Sequence, residues 1–479
     1  MSVRVRFAPS PTGPLHLGNA RVAVVNRLFA EKEGGSFVLR IEDTDEARFD
    51  PGAEALIVRE LEWLDIHPDE GPGVGGRFGP YRQSERREIY ARATERLLAS
   101  GQAYRCFCTD EMLAEEKRKA VAAGRPPRYS GRCRLLTSEE VASRAGEPSV
   151  VRFRADFSEI RVHDLIHGQI SFATDAFGDF VIMRADGSAV FIFSSAVDDS
   201  LMGITHVIRG EDHLPNTPRQ ILIHRALGHE PPAFAHLPLL LTEAGDKIKK
   251  REGGFDLETL IERGYTPEGV FAYLAALGNP SVTGKHLPPR ATIVETLDLA
   301  RLGRAAVKVE PAKLARTNAL AIKTLPAADL ASRLVPILTS HGYDTDHIGP
   351  RLLDLFADAV GENISTLTEA AVFAPIFFSE FPPMENAAQE ILARDDSRRV
   401  LAALLANIEE IPELTAETYR AVIRATADQT GMDGKSLFAP IRAALTGIEH
   451  GPALEKIAEA LGPALTGLRI RRALGIAEP

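Results

Sequence analysis

Cysteine is scarce in this chain: three residues in 479, Cys106, Cys108 and Cys133, all in one short segment. That number builds no disulfide framework and raises metal binding instead. No apolar run approaches the roughly 20 residues needed to cross a bilayer. The opening Met1-Ser2-Val3-Arg4-Val5-Arg6 has no apolar core of an export signal. A cytoplasmic protein without a membrane partner is the expectation. The pattern GxxxxGK[ST] is absent, which excludes a P-loop enzyme, and there is no repeat period or low-complexity tract. Positive charge is not in excess either. The net charge of -10 disfavours a general nucleic-acid coat, so any RNA contact must come from local basic patches.

What is present is ordinary globular material, 44% hydrophobic and 25% charged, in a length that suggests about three domains. Val3-Arg4-Val5-Arg6-Phe7 alternates as a strand does. A Pro/Gly loop follows, and then a helix near Leu17 to Glu33, with Val22, Val25 and Phe29 on one face and Gly34-Gly35 ending it. Phe37 to Ile41 reads as the next strand, completing a βαβ unit of a parallel sheet. From about 70 to 190 short strands alternate with helices, as in an insertion; the α/β pattern returns at Phe180 to Phe193 and Thr205 to Arg209. Beyond about 320 the pattern is helical, as at Val400, Leu401, Leu404, Leu405 and Ile408, and Gly462 reads as a helix C-cap after Leu461.

Two loops carry chemistry. Pro11 to Asn19 joins the first strand to the first helix, the end of a parallel sheet where nucleotides bind. The helix N-terminus there suits phosphate, Gly18 would let a ribose or base approach, and His16 could donate to a phosphate oxygen. Lys247-Ile248-Lys249-Lys250-Arg251, followed by Glu252-Gly253-Gly254, sets four cations in five residues on a glycine-flanked loop that could close over a triphosphate. A third glycine-rich stretch, Gly71 to Gly76, matches GxGxxG. No strand precedes it and no helix follows, so it reads as a plain loop.

With these loops in view the chain resembles glutamyl-tRNA synthetases of the bacterial type. Ala8-Pro9-Ser10-Pro11-Thr12-Gly13 with His16-Leu17-Gly18-Asn19 resembles the family's HIGH region, and Lys247 to Arg251 stands where its KMSKS loop should be. Arg40 to Asp45, Pro80 to Arg86, Val197-Asp198-Asp199 with Ile204 to His213, and Arg442 to Gly447 are further matches, in order from near residue 6 almost to the C-terminus. The resemblance implies an α/β fold: a Rossmann-like class I synthetase catalytic domain with an α/β insertion, followed by an all-α anticodon-binding region. The divisions expected are 1–75 and 191–240 for the two catalytic halves, 76–190 for an acceptor-stem-binding insertion, 241–322 for a stem-contact region, and 323–479 for the helical region.

The implied reaction is attack of the glutamate α-carboxylate on the ATP α-phosphate, then transfer of the glutamyl group to the 3′ end of tRNA-Glu, with Mg²⁺ accompanying ATP. By resemblance His16, Gly18, Asn19, Lys247, Lys249, Lys250 and Arg251 hold ATP, with His16, Lys247 and Lys250 as the catalytic contacts. Arg6, Ala8, Ser10, Glu42, Phe191, Ser195 and Arg209 line the L-glutamate pocket; guanidinium groups suit a dicarboxylate and Glu42 suits its ammonium. Asp212 and His213 border ATP or the tRNA end. Arg82, Arg86 and Arg87, with Arg77 nearby, are candidates for the acceptor stem, exposed ion-pair partners being the alternative.

Three departures stand out. Lys249 replaces the usual serine of the mobile loop, Phe191 replaces a tyrosine, and Leu135 replaces the histidine that completes a zinc site in some members. With Cys106, Cys108 and Cys133 alone a four-ligand site is incomplete; resemblance to a related family of shorter, tRNA-modifying enzymes makes Tyr129 a candidate fourth donor, and zinc is not expected. The stretch from Gly361 through Asn363 to Leu367 lacks the arginine that some members use to select the anticodon. Relaxed selection, with tRNA-Gln also glutamylated, is therefore expected, by a monomer. The competing reading is a catalytically impaired or tRNA-modifying paralogue, although tRNA-modifying relatives stop after the catalytic half.

Overall fold

The computed structural model describes residues 2–44, 52–124, 128–156, 159–174, 177–248, 255–280, 286–409 and 411–476. Two compact units emerge: residues 1–259 with 271–310, and residues 260–270 with 311–479. The helical unit thus begins at Pro311 and takes in a short stretch from before residue 271, where the sequence pattern suggests a start at 323.

In the first unit, β1 (Arg4–Phe7), α1 (Leu17–Lys32) and β2 (Ser36–Leu39) form the expected parallel βαβ unit, paired Arg4 to Ser36 through Phe7 to Leu39. The turn into β2 grazes the sheet: a Cβ on Gly35 would lie 2.4 Å from the Val3 carbonyl oxygen, so only glycine passes there. Helix α2 (Ala53–Trp63) follows. β3 (Ala103–Cys106), β4 (Val150–Phe153) and β7 (Phe180–Met183) make a separate antiparallel sheet with β4 central. β5 (Glu159–Asp164) and β6 (Gly168–Ala173) form a hairpin that instead extends the main sheet. The expected insertion of 76–190 therefore lends one hairpin to the catalytic sheet, because Asp164 of β5 pairs with Phe234 of β9 (Ala233–Leu237). β8 (His206–Gly210) completes the order β2-β1-β8-β9-β5-β6.

β1 lies between β2 and β8, so the connections leave β1 in opposite directions. The crevice at the carboxyl ends of such strands is where an open α/β sheet binds ligands. Gly71 to Gly76 is a turn, closed by a bridge between Gly71 and Gly75, as expected of a plain loop.

The second unit is helical, from Pro311–Thr324 to Leu454–Leu474. Gly462 ends the helical stretch that begins at Leu454, as its C-cap reading predicts. Its φ of 68° and ψ of 173° kink the segment, and Pro463 starts a second helical stretch. Helix Asp395–Glu409 buries Val400, Leu401, Leu404, Leu405 and Ile408 as the periodicity predicts. Phe356 is fully buried among them, its ring centroid 5.2 Å from that of Phe377 and 4.9 Å from that of Phe378. Phe356→Ala is expected to destabilise this unit by about 3–5 kcal/mol, read as an earlier loss of helical circular dichroism in urea.

Candidate active site

A cleft of about 250 Å³ opens at the carboxyl ends of β1, β8 and β9. Arg6, Ala8, Ser10, His16, Gly18, Asn19, Glu42, Phe191, Ser195, Arg209, Asp212, His213 and Lys247 all line it, so residues from five distant stretches of the chain share one cavity. Lys249, Lys250 and Arg251 lie outside the described residues. Of the described residues on either side, Ile248 lines the cleft, and the Phe255 carbonyl accepts from Leu17 N at 2.9 Å.

His16 is the N-cap of α1, and its Nδ1 accepts from the backbone N–H of Gly18 at 3.0 Å and of Asn19 at 3.3 Å. This corrects two expectations. The first N–H groups of the helix are not unpaired phosphate donors, because His16 and the Phe255 carbonyl already take them. Gly18 leaves room for the imidazole rather than for a ligand alone: a Cβ there would stand 2.8 Å from His16 Cε1. With Nδ1 an acceptor, the neutral ring carries its proton on Nε2, so the cap fixes the tautomer.

The loop is held from beneath by Glu60 of α2, whose Oε2 accepts from Leu15 N at 2.8 Å while Oε1 is buried without a partner. Burial, with Glu258 and Asp256 nearby, pushes this carboxyl up to about 7.

The other half of the cleft is an ion network. Asp199 Oδ1 accepts from Arg40 Nη1 at 2.7 Å and from Arg6 Nε at 3.2 Å. Burial raises the Asp199 carboxyl, but Arg40 and Arg6 outweigh it and hold it at about 2. Arg40 also donates to Glu42 at 3.0 Å and to Ser195 Oγ at 3.3 Å. Ser195, one of the expected pocket residues, therefore already has a partner. Burial raises the Glu42 carboxyl against the opposing pull of Arg40 and Arg6.

Arg209 differs from these. It is 5% exposed and meets only neutral groups: His236, Thr217 and the His213 carbonyl. Among the described residues no carboxylate lies within ion-pairing distance of it, and its Nη1 is buried without a partner. Burial, then repulsion from Arg6, lowers its pKa to about 9. His213 stacks at a tilt against Phe191, with centroids 5.2 Å apart, and burial with Arg209 lowers it to about 4, so it is neutral at pH 7. Lys247, at the rim, pairs with Asp212 at 3.3 Å.

The RNA candidates separate. Arg86 is buried, donating to Asp198 at 2.6 Å and to the Pro80 carbonyl at 2.9 Å. That is an internal strut, because a guanidinium so enclosed has no face left for RNA, and this reading replaces the expected stem contact. Arg82 is ion-paired with Glu54 and Glu85 and partly exposed; Arg87 is exposed, as are Arg77 and Asn363.

The three thiols converge, with every sulfur within 4.8 Å of the others. Cys108 Sγ lies 3.6 Å from Cys133 Sγ, and the Tyr129 hydroxyl lies 3.4 Å from Cys106 Sγ and 3.7 Å from Cys108 Sγ. Leu135 is 84% exposed and contributes nothing, yet Tyr129 supplies a fourth donor at a spacing that fits a tetrahedral ion.

Sequence reasoning missed four buried residues that organise this cleft: Glu60, Asp164, Thr217 and His236. It quoted Arg40 and Asp199 only within motifs. A polar residue in a buried strand, such as His236 in Ala233–Leu237, was the available signal.

This fold and cleft are those of a class I aminoacyl-tRNA synthetase. The family model for tRNA synthetases class I (E and Q), catalytic domain, matches residues 2–316, and that for an anticodon binding domain matches residues 329–474. A glutamate–tRNA ligase of Sulfurihydrogenibium sp. is 41% identical over 98% of this chain and 99% of its own length. One from Bacillus subtilis is 39% identical over 96% and 97%. The crystal structure of a glutamate tRNA ligase from Elizabethkingia meningosepticum in complex with its amino acid superposes with a TM-score of 0.86 at 32% identity, covering both chains fully. The chain belongs to the glutamate–tRNA ligase family. No helix among the described residues is long and apolar enough to cross a membrane.

The Glu60 geometry makes a pH-dependent prediction. A carboxyl whose pKa rises to about 7 on folding favours the native state fully below its unfolded value, and that contribution is lost as pH rises through 7. Glu60→Gln keeps an acceptor for Leu15 N. Its stability relative to the parent protein is expected to increase from pH 5 to pH 8 by up to about 3 kcal/mol, measured by urea unfolding; a pH-independent difference would contradict the assignment.

Proposed function

We propose that the cleft holds ATP and L-glutamate side by side, forms glutamyl-adenylate with release of pyrophosphate, and passes the glutamyl group to the 3′ end of tRNA-Glu. The observation that carries this reading is Arg209, a buried guanidinium with an unpartnered Nη1 beside Arg6 in the cavity that His16 borders. An anionic substrate supplies what is missing there, and a dicarboxylic amino acid suits two guanidinium groups. Glu42, at the same wall, suits the substrate ammonium. His16 would present Nε2–H to the phosphates, and Lys247, Lys249, Lys250 and Arg251 would add cations. Mg²⁺ would arrive with ATP and neutralise part of its charge. No covalent enzyme intermediate is needed, so the protein aligns two substrates and stabilises charge.

The helical unit is proposed to read the anticodon, and Arg82 and Arg87 to approach the acceptor stem. The stretch at Asn363 has no arginine, which supports glutamylation of tRNA-Gln as well as tRNA-Glu. The measurement is exchange of pyrophosphate into ATP, with and without each purified tRNA, followed by charging. Exchange that requires L-glutamate, and charging of both tRNAs, are expected. No adenylate under any condition would overturn the reading, and strict preference for tRNA-Glu would remove its second part.

The thiol cluster supports a second proposal. Cys106, Cys108, Tyr129 and Cys133 would hold zinc and so tie the end of β3 to the turn Arg132–Leu135, a structural task away from the cleft. Protein purified without chelators or a metal-affinity step is expected to contain about one zinc per chain by elemental analysis. Three freely titratable thiols without metal would contradict this.

A further inference from the structure

Behind Arg209 runs a chain of buried polar groups for which neither the cleft lining nor the reaction above accounts. In the parallel register of β8 and β9, Arg209 lies opposite His236, so the two side chains share one face of the sheet. Arg209 Nε lies 3.1 Å from His236 Nε2. On the far side of the ring His236 Nδ1 lies 2.6 Å from Asp164 Oδ2, on β5. Thr217 closes a triangle: its Oγ1 is 2.8 Å from Arg209 Nη2 and 3.1 Å from His236 Nε2. Asp164, Thr217 and His236 are each at most 1% exposed.

The proton positions follow from the donors. Arg209 Nε can only donate, so His236 Nε2 must present a lone pair. The ring proton then sits on Nδ1, directed at Asp164. That carboxylate is already full: Oδ2 accepts from His236 N at 3.1 Å as well, and Oδ1 accepts from Ile166 N at 2.9 Å and His167 N at 2.8 Å. Burial lowers His236 to about 4 despite Asp164, so the ring is neutral at working pH. Thr217 accepts from Arg209 Nη2, and its hydroxyl shares the His236 Nε2 lone pair with Arg209 Nε, so Arg209 donates along two sides of the triangle.

We propose that Asp164 and His236 are positioning residues for substrate recognition: Asp164 fixes the imidazole tautomer of His236, and the His236 lone pair with Thr217 sets the plane of the Arg209 guanidinium so that Nη1 faces the substrate carboxylate. A neutral imidazole orients the guanidinium without offering it a competing anion. A carboxylate in its place would pair with Arg209 and compete with the substrate. This inference rests on the reading of Arg209 as a glutamate ligand.

The two can be told apart with full-length variants assayed for glutamate-dependent pyrophosphate exchange in the presence of tRNA-Glu. Arg209→Gln tests the underlying reading. His236→Phe keeps the ring and removes the acceptor. His236→Gln restores an amide oxygen able to accept from Nε. Asp164→Asn has one oxygen for four donors; if its amide faces the ring, the ring proton moves to Nε2, against the Nε–H of Arg209. His236→Phe and Asp164→Asn are expected to raise the glutamate KM about tenfold or more, with the ATP KM within about twofold and unfolding temperature maintained. His236→Gln is expected to recover most of that loss. If Arg209→Gln raises the glutamate KM while folded His236→Phe leaves it unchanged, the positioning role is overturned and the glutamate reading stands. A parallel rise in both KM values without rescue by His236→Gln overturns it too, as general disturbance of the core. If Arg209→Gln leaves the glutamate KM unmoved, both fall. Should Asp164→Asn fail to fold, the two His236 variants decide.

Discussion

A guanidinium carried into the interior without a counter-ion is costly, and Arg209 is such a group. Among the described residues no carboxylate pairs with it directly; Asp199, Glu42 and Asp212 offset that cost only from a distance. Asp199 is committed to Arg6 and Arg40, Glu42 to Arg40, and Asp198 to Arg86, Gln83 and Tyr90. The anions of this region are therefore held in place, and the cleft keeps an unmet demand for negative charge. A substrate meets that demand only when bound, which is how a static network becomes a means of recognition.

The opposite wall of the cleft follows a different rule. There the backbone is organised by one side chain that completes a helix end. His16 satisfies the first N–H groups of α1, Gly18 leaves it room, and Glu60 with the strand-like pairing of His16 to Asp256 anchors the loop below and beside it. A ring held so firmly keeps Nδ1 as an acceptor and, when neutral, one tautomer. The two walls come from widely spaced stretches of the chain, and the sheet order, with β1 between β2 and β8, brings them together.

Much of this was legible in the sequence, because it depends on local pattern. The first βαβ unit, the plain loop at Gly71 to Gly76 and the helical second unit follow from periodicity and punctuation, and the resemblance named residues that the fold does bring to one cleft. What was not legible depends on register and burial. Nothing local shows that Arg209 faces His236, that Asp164 belongs to the main sheet rather than to the insertion around it, or that Arg86 points inward to Asp198 instead of outward. Gly462 followed by Pro463 signals both a helix end and a helix start, and the backbone makes both there. The three thiols and Tyr129 were named as candidate donors before the fold was in view, and the chain path does bring the four together.

The most direct test of the account is a crystal structure with L-glutamate bound. It should show a substrate carboxylate oxygen within hydrogen-bond distance of Arg209 Nη1, with His236 and Thr217 still on the other edge of that guanidinium. Glutamate bound elsewhere, or Arg209 turned onto a protein carboxylate with the ligand in place, would contradict the claim that this buried cation is kept unpaired for the substrate.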